Sequence, residues 1–162
     1  MASKAPTITH QSLGAWLIKG SRDVYPVDDL VRTRFATVTS WSVRKTYRTR
    51  LIESGQPVLF WISGNDDEHP AGIYAQGHTG GRAFAGVADG NWVDATEVGK
   101  KKLFMPVKLE PLDSPILRTE ILDHPVLSQI EVVKMPAGSN PSFLSKTDLQ
   151  ELRRMWPHVT IA

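Results

Sequence analysis

Apolar positions fall along this chain in short bursts, not in long helical stripes. Leu13–Lys19 (LGAWLIK) and Val58–Ser63 (VLFWIS) are almost unbroken apolar runs and predict buried strands. Ala36–Val43 alternates apolar and polar side chains and predicts a third. Ala71–Gln76 follows the polar stretch Gly64–Pro70 and predicts the returning arm of a hairpin. Trp92–Val98, Leu103–Leu109 and Ile130–Val133 predict further strands. Helical signals are fewer. Pro26–Val31 carries a proline and two acids at its start, as a first helical turn does. The basic stretch Arg44–Ser54 predicts a helix closed by Gly55, and Pro115–His124 spaces Ile116, Leu117, Ile121 and Leu122 as a helix would. Ser145–Met155 predicts an amphipathic helix whose buried face is Leu144, Leu149, Leu152 and Met155, with Asp148 three residues after a capping Ser145. Short strands with helices at the edges predict a small barrel of the α+β class. With no internal repeat, the expectation is one domain over residues 13–156, a flexible tail at 1–12 and a C-terminal tail at 157–162.

Composition narrows the function. At 162 residues, 41% hydrophobic and 22% charged, the chain is globular and long enough to bury a core. It has no cysteine, which excludes disulfides, thiolate metal sites and cysteine nucleophiles. The five histidines are scattered without ligand spacing, so no metal and no cofactor is expected. No apolar run approaches the ~20 residues that cross a bilayer, and the first residues lack the apolar stretch of a signal peptide. A cytoplasmic location, no membrane partner and a monomer are expected.

The formal net charge of +2 hides an asymmetry. Arg32, Arg34, Arg44, Lys45, Arg48 and Arg50 fall within nineteen residues that hold no acid, whereas Glu110–Glu131 has five acids and only Arg118. Within the basic segment Trp41 ends the alternating run. A flat ring followed at once by cations can stack a base and hold its phosphates. The alternative is a solvated basic face with Trp41 in the core. Trp16 and Trp61, inside apolar runs, are expected in the core, and Trp156 against the barrel. Gly77–Arg82 lacks the ending of a phosphate loop, Asp66–Glu68 reads as a solvated turn, and no Gly-x-Ser-x-Gly elbow is present.

Seven segments, in order, resemble the EVE domain of the PUA-like superfamily, which is related to the YTH domain. They are Trp16–Lys19, Thr39–Arg44, Val58–Gly64, Ala71–Gly77, Met105–Leu109, Pro115–Ile121 and Pro136–Pro141 running into the last helix. The resemblance implies a PUA-like small mixed β-barrel flanked by short helices. It further implies a non-catalytic reader that holds a methylated or hydroxymethylated cytosine or adenine, in DNA or RNA, in an aromatic pocket. Carried over, Trp41 is the principal wall and Ser42 bonds the base. Lys19 and Ser21 flank the mouth, Ser63 and Gly64 end the central strand, and Trp92 is a candidate second wall. Asn140 closes one edge, and Arg44, Lys45, Arg48 and Arg50 serve the phosphates. The rival is a PUA-like enzyme of the ASCH type, a ribonuclease or amidohydrolase using Lys19 helped by Tyr25 or a carboxylate.

Overall fold

The structure, a computed structural model, describes residues 6–64, 66–88 and 96–162. In chain order the elements are β1 (Leu13–Ser21), α1 (Val27–Arg32), β2 (Ser40–Val43), β3 (Pro57–Ser63), β4 (Gly72–Thr79), β5 (Phe84–Val87), β6 (Lys101–Leu117), α2 (Arg118–Leu122), α3 (Glu131–Lys134), β7 (Ser142–Ser145) and α4 (Lys146–Met155). Short 3-10 turns lie at Tyr47–Leu51 and Leu127–Gln129. The sheet runs β2-β6-β4-β3-β1-β7, and β5 pairs with β6. β1 and β3 are parallel, while their other neighbours are antiparallel.

The unbroken apolar runs follow from this order. Strands β1 and β3 are buried on both faces, so neither face can be polar. Trp16, Ile18, Phe60 and Ile62 fill the inside of the curl with Trp41 and Met105. Leu17, Leu59 and Trp61 face the other way, onto Ile116, Ile121, Leu144, Leu149 and Leu152. Irregular register at Phe60/Trp61 and between Ile73 and Ala75 bends the strands and helps the sheet curl. Strand β6 joins the two parts: its first half pairs with β2 and β5, its second with β4.

Several expectations are corrected. The strand expected over Ala36–Val43 begins only at Ser40, because Arg34 and Phe35 take left-handed backbone (φ 57° and 60°) that turns the chain and drops Phe35 into the core. In place of a helix over Arg44–Ser54 there is a 3-10 turn capped by the Thr46 hydroxyl, which accepts from Arg48 N–H at 3.2 Å. β6 continues through Leu117, since Ile116 and Leu117 pair with Ile73 and Gly72, and helix α2 starts only at Arg118. Ile130–Val133 is not a strand: Glu131–Lys134 makes one helical turn whose Val132 and Val133 are buried. In α4, Ser145 caps through Asp148 N–H at 3.1 Å and Leu149 and Leu152 are buried, but Met155 is exposed. Of the strand expected at Trp92–Val98, residues 92–95 lie outside the described residues, and 96–99 form a turn.

Trp16 and Trp61 are core residues, and Trp156 packs on the second core cluster. Two points of the expected tails pack on the domain. Ile8 is buried and its N–H donates to the Tyr47 hydroxyl (3.0 Å); Val159 and Ile161 are buried, and Gln76 Oε1 accepts from Thr160 N–H (2.9 Å).

Candidate functional site

Where β1 ends, the chain turns tightly: Val24 and Tyr25 N–H both donate to Ser21 O (3.0 and 2.9 Å). The turn is braced from outside. Arg22 grips Asp28 with two hydrogen bonds (3.0 and 2.8 Å), and His69 Nδ1 meets the same carboxylate at 2.5 Å. The Arg22 guanidinium, then His69, holds the Asp28 carboxyl well below the usual carboxylate range. Tyr25 lies within the stretch that this brace closes, between Arg22 and Asp28.

Beside it, Trp41 enters from β2. Its indole N–H donates to Lys19 O at 3.0 Å, and its ring meets Phe60 and Tyr25 edge to face, with centroids at 4.8 and 5.1 Å. Gly20 makes this approach possible: a Cβ there would lie 3.1 Å from Trp41 Cζ2 and 2.8 Å from both Phe60 and Val27. The third side is the loop 135–141. Asn140 bonds the Lys19 backbone twice, accepting from its N–H (2.8 Å) and donating to its carbonyl (2.9 Å). Trp41 and Asn140 thus share the lone pairs of one carbonyl oxygen, which fixes both side chains.

Together these groups enclose a cavity of about 190 Å³ lined by Lys19, Gly20, Ser21, Val24, Tyr25, Trp41, Ser42 and Asn140. It brings together five of the residues singled out in the sequence: Lys19, Ser21, Trp41, Ser42 and Asn140. Trp41 is nonetheless only 9% exposed and belongs to the core cluster, so it is core and wall at once. Ser63 and Gly64 are not among the lining residues. Ser63 pairs with Ser21 at the strand end, and Gly64 takes the left-handed turn (φ 111°). Trp92 lies outside the described residues. Tyr25 and Val24 had no pocket role in the sequence reading, Tyr25 figuring only as a helper of Lys19.

A shallower groove of about 600 Å³ adjoins the cavity, sharing Ser42 and Asn140 with it and carrying Arg44, Lys45, Lys101 and Lys102. Arg44 and Lys45 are exposed, and Lys102 is engaged by Glu97 at 2.6 Å. Arg50 is exposed but does not line this groove. Arg48 corrects the expectation of a phosphate contact: it is 8% exposed and turned inward. Its guanidinium forks onto Glu131 (2.6 and 2.8 Å), donates to Pro141 O and Pro6 O (both 2.9 Å), and sits 4.8 Å from the Phe143 ring centroid. With all these partners it cannot reach a phosphate. It instead anchors the loop that carries Asn140.

Lys19 completes the anchorage, its ammonium donating to Gly138 O. Burial lowers its pKa, the Glu131 charge opposes that, and Arg48 adds to it. Burial alone would raise the Glu131 carboxyl, but Arg48 and the Ser142 hydroxyl (2.8 Å) outweigh it and hold it below the usual range. A carboxylate depressed in the folded state gives stability that is present above its ordinary value and lost as pH falls toward the folded one. Glu131 and Asp28 both act in this sense. Thermal unfolding is therefore expected to be flat near neutrality and to fall steeply below about pH 4. In Glu131→Gln the midpoint at neutral pH should drop and the acid limb become shallower.

No protein-family model matches the chain, and no curated protein matches it either. Solved structures do. Rpa0253 from Rhodopseudomonas palustris superposes with a TM-score of 0.59 at 16% identity, covering 91% of this chain and 96% of that one. The DUF55 domain of human thymocyte nuclear protein 1 gives 0.59 at 13% identity, covering 87% and 97%. Human THYN1 in complex with 5-methylcytosine-containing DNA gives 0.51 at 15% identity, covering 84% and 94%. At such identities the likeness is one of fold. The shared architecture is the PUA-like α+β fold, a small curled mixed sheet flanked by short helices, as the resemblance implied.

Proposed function

We propose that this protein is a non-catalytic reader of the EVE type that binds a methylated or hydroxymethylated nucleobase of a nucleic acid. The observation that carries the reading is the 190 Å³ cavity, where Tyr25 and one edge of Trp41 meet Ser21, Ser42, Lys19 and Asn140 beside a basic groove. A base taken out of its stack needs rings to replace its neighbours and a few polar groups to meet its edge. The strand that carries it needs cations along its path, which Arg44, Lys45 and Lys101 supply. The THYN1 complex with 5-methylcytosine DNA supports this reading through a shared fold, and makes modified cytosine the first base to try.

The test is a binding screen at fixed salt, with oligonucleotides of one sequence carrying cytosine, 5-methylcytosine, 5-hydroxymethylcytosine, adenine or N6-methyladenine. One modified base should bind more tightly than its parent. In Arg44→Ala/Lys45→Ala, affinity should fall for every oligonucleotide alike, and the slope of log K against log salt should shrink by about one for each charge removed. A loss confined to the modified oligonucleotide would place these residues at the base instead.

One observation favours a second reading: Lys19 borders the cavity and burial lowers its pKa, as a lysine acting as base requires. Against it, the ammonium is bonded to Gly138 O and faces the Glu131 charge, which favour the protonated form. RNA cleavage that disappears in Lys19→Ala would decide for the enzyme.

A further inference from the structure

The wall formed by Tyr25, Trp41 and Ser42 has a second side. There a hollow of about 240 Å³ lies against Phe84, Gly86, Val87 and Phe104. Pairing of β2, β6 and β5 sets Ser42, Phe104 and Phe84 in one row across three strands. The two phenyl rings stack at 28° with centroids 5.9 Å apart. Gly86 leaves room for this, since a Cβ there would lie 2.9 Å from the Phe104 ring. Phe84 is 45% exposed and Val87 60%, so water reaches this step of phenyl rings, which shares the hollow with Tyr25, Ser40 and Ser42. The basic groove meets this step at Ser42 and reaches its face through Lys102, opposite Gly86, whereas Ala85, Lys101 and Leu103 of the same two strands alternate to the other face. Ser42 borders the cavity, the groove and the hollow alike, so all three meet at this one residue.

We propose that the phenyl step takes the base next to the one held in the cavity, so that the protein binds two consecutive unstacked nucleotides of a single strand. This rests on the base-cavity reading above. The cavity offers polar groups and can discriminate. The phenyl rings offer π faces, which accept any base because every base has one. Since a second base must also leave its stack, single strands and loops bind in preference to a fully paired duplex.

The test uses short probes with one modified base, 5-methylcytosine or N6-methyladenine, next to either a thymidine or an abasic sugar, so that the number of phosphates is constant. In the wild-type protein the thymidine neighbour should tighten binding by about 5- to 150-fold over the abasic one. Phe84→Ala should erase that gain, leaving the abasic probe's affinity unchanged and lowering the unfolding midpoint by no more than a few degrees through the lost Phe104 stack. If the gain is missing in the wild type or survives in Phe84→Ala, the flanking site is wrong and the cavity reading stands. If Phe84→Ala abolishes self-association and leaves nucleotide binding alone, the step is an interface between copies. If no probe binds and blocking the cavity changes nothing, both proposals fall together.

Discussion

Replacing Arg48 with alanine is expected to destabilise the protein by about 3–5 kcal/mol, the cost of leaving one member of a buried ion pair without its partner. Arg48 and Glu131 are both nearly sealed from water, with side chains 10% and 8% exposed. Removing the guanidinium strands a carboxylate that keeps only Ser142 and the Lys19 charge, and it releases the carbonyls of Pro6 and Pro141. For a chain of this size each kcal/mol is worth about 2–4 °C, so the midpoint should fall by roughly 6–20 °C. Much of the loss should return in Arg48→Met/Glu131→Leu, where neither charge is buried. A midpoint within a degree or two of wild type in Arg48→Ala would mean that the pair is open to water. In a screen for binding, this variant would look like a ligand contact only because the loop bearing Asn140 has lost its anchor.

The second large effect is expected from filling the cavity. Ser21 borders it without bordering the neighbouring groove or the phenyl step. Ser21→Phe puts a ring where the base should lie and leaves the backbone acceptor of the Val24–Tyr25 turn in place. Preference for the modified base should vanish, with affinity falling by at least the ~5- to 150-fold that stacking of one base is worth. A residual salt-sensitive binding to any strand should remain, carried by Arg44, Lys45 and Lys101. Titration of matched modified and unmodified oligonucleotides reads both at once. Trp41→Ala is the poorer probe: removing a core tryptophan costs about 3–5 kcal/mol by itself, so lost binding could reflect lost folding.

The two central strands were legible because burial on both faces leaves an unbroken apolar run with no polar face of helical spacing. Trp41 was marked locally, by a ring at the end of an alternating run with cations directly after it, whereas Lys19, Ser21, Ser42 and Asn140 were found through the order of seven segments. Tyr25 was overlooked as a wall because a tyrosine in a polar loop before a proline resembles a surface residue. Its position depends on the Arg22–Asp28–His69 brace, which joins residues up to 41 apart in the chain. Arg48 was misread for a related reason. In a run of six bases one cation looks like the next, and only the fold brings Glu131, 83 residues away, to meet this one. Strand β5 was missed because Gly80, Gly81 and Gly86 around Phe84 imitate a loop, although Gly86 is there to admit the Phe104 ring.

A base entering against Trp41 and Tyr25 can be reported directly by the Trp41 indole N–H. Its proton is bonded to Lys19 O at the edge of the cavity, and its indole N–H resonance can be assigned by its disappearance in Trp41→Phe. On titration with the modified mononucleotide preferred in the screen, the Trp41 signal should shift under the ring current of the incoming base. The signal of Trp61, which packs in the other core cluster, should stay in place. Tight binding that leaves the Trp41 resonance unmoved would contradict the account.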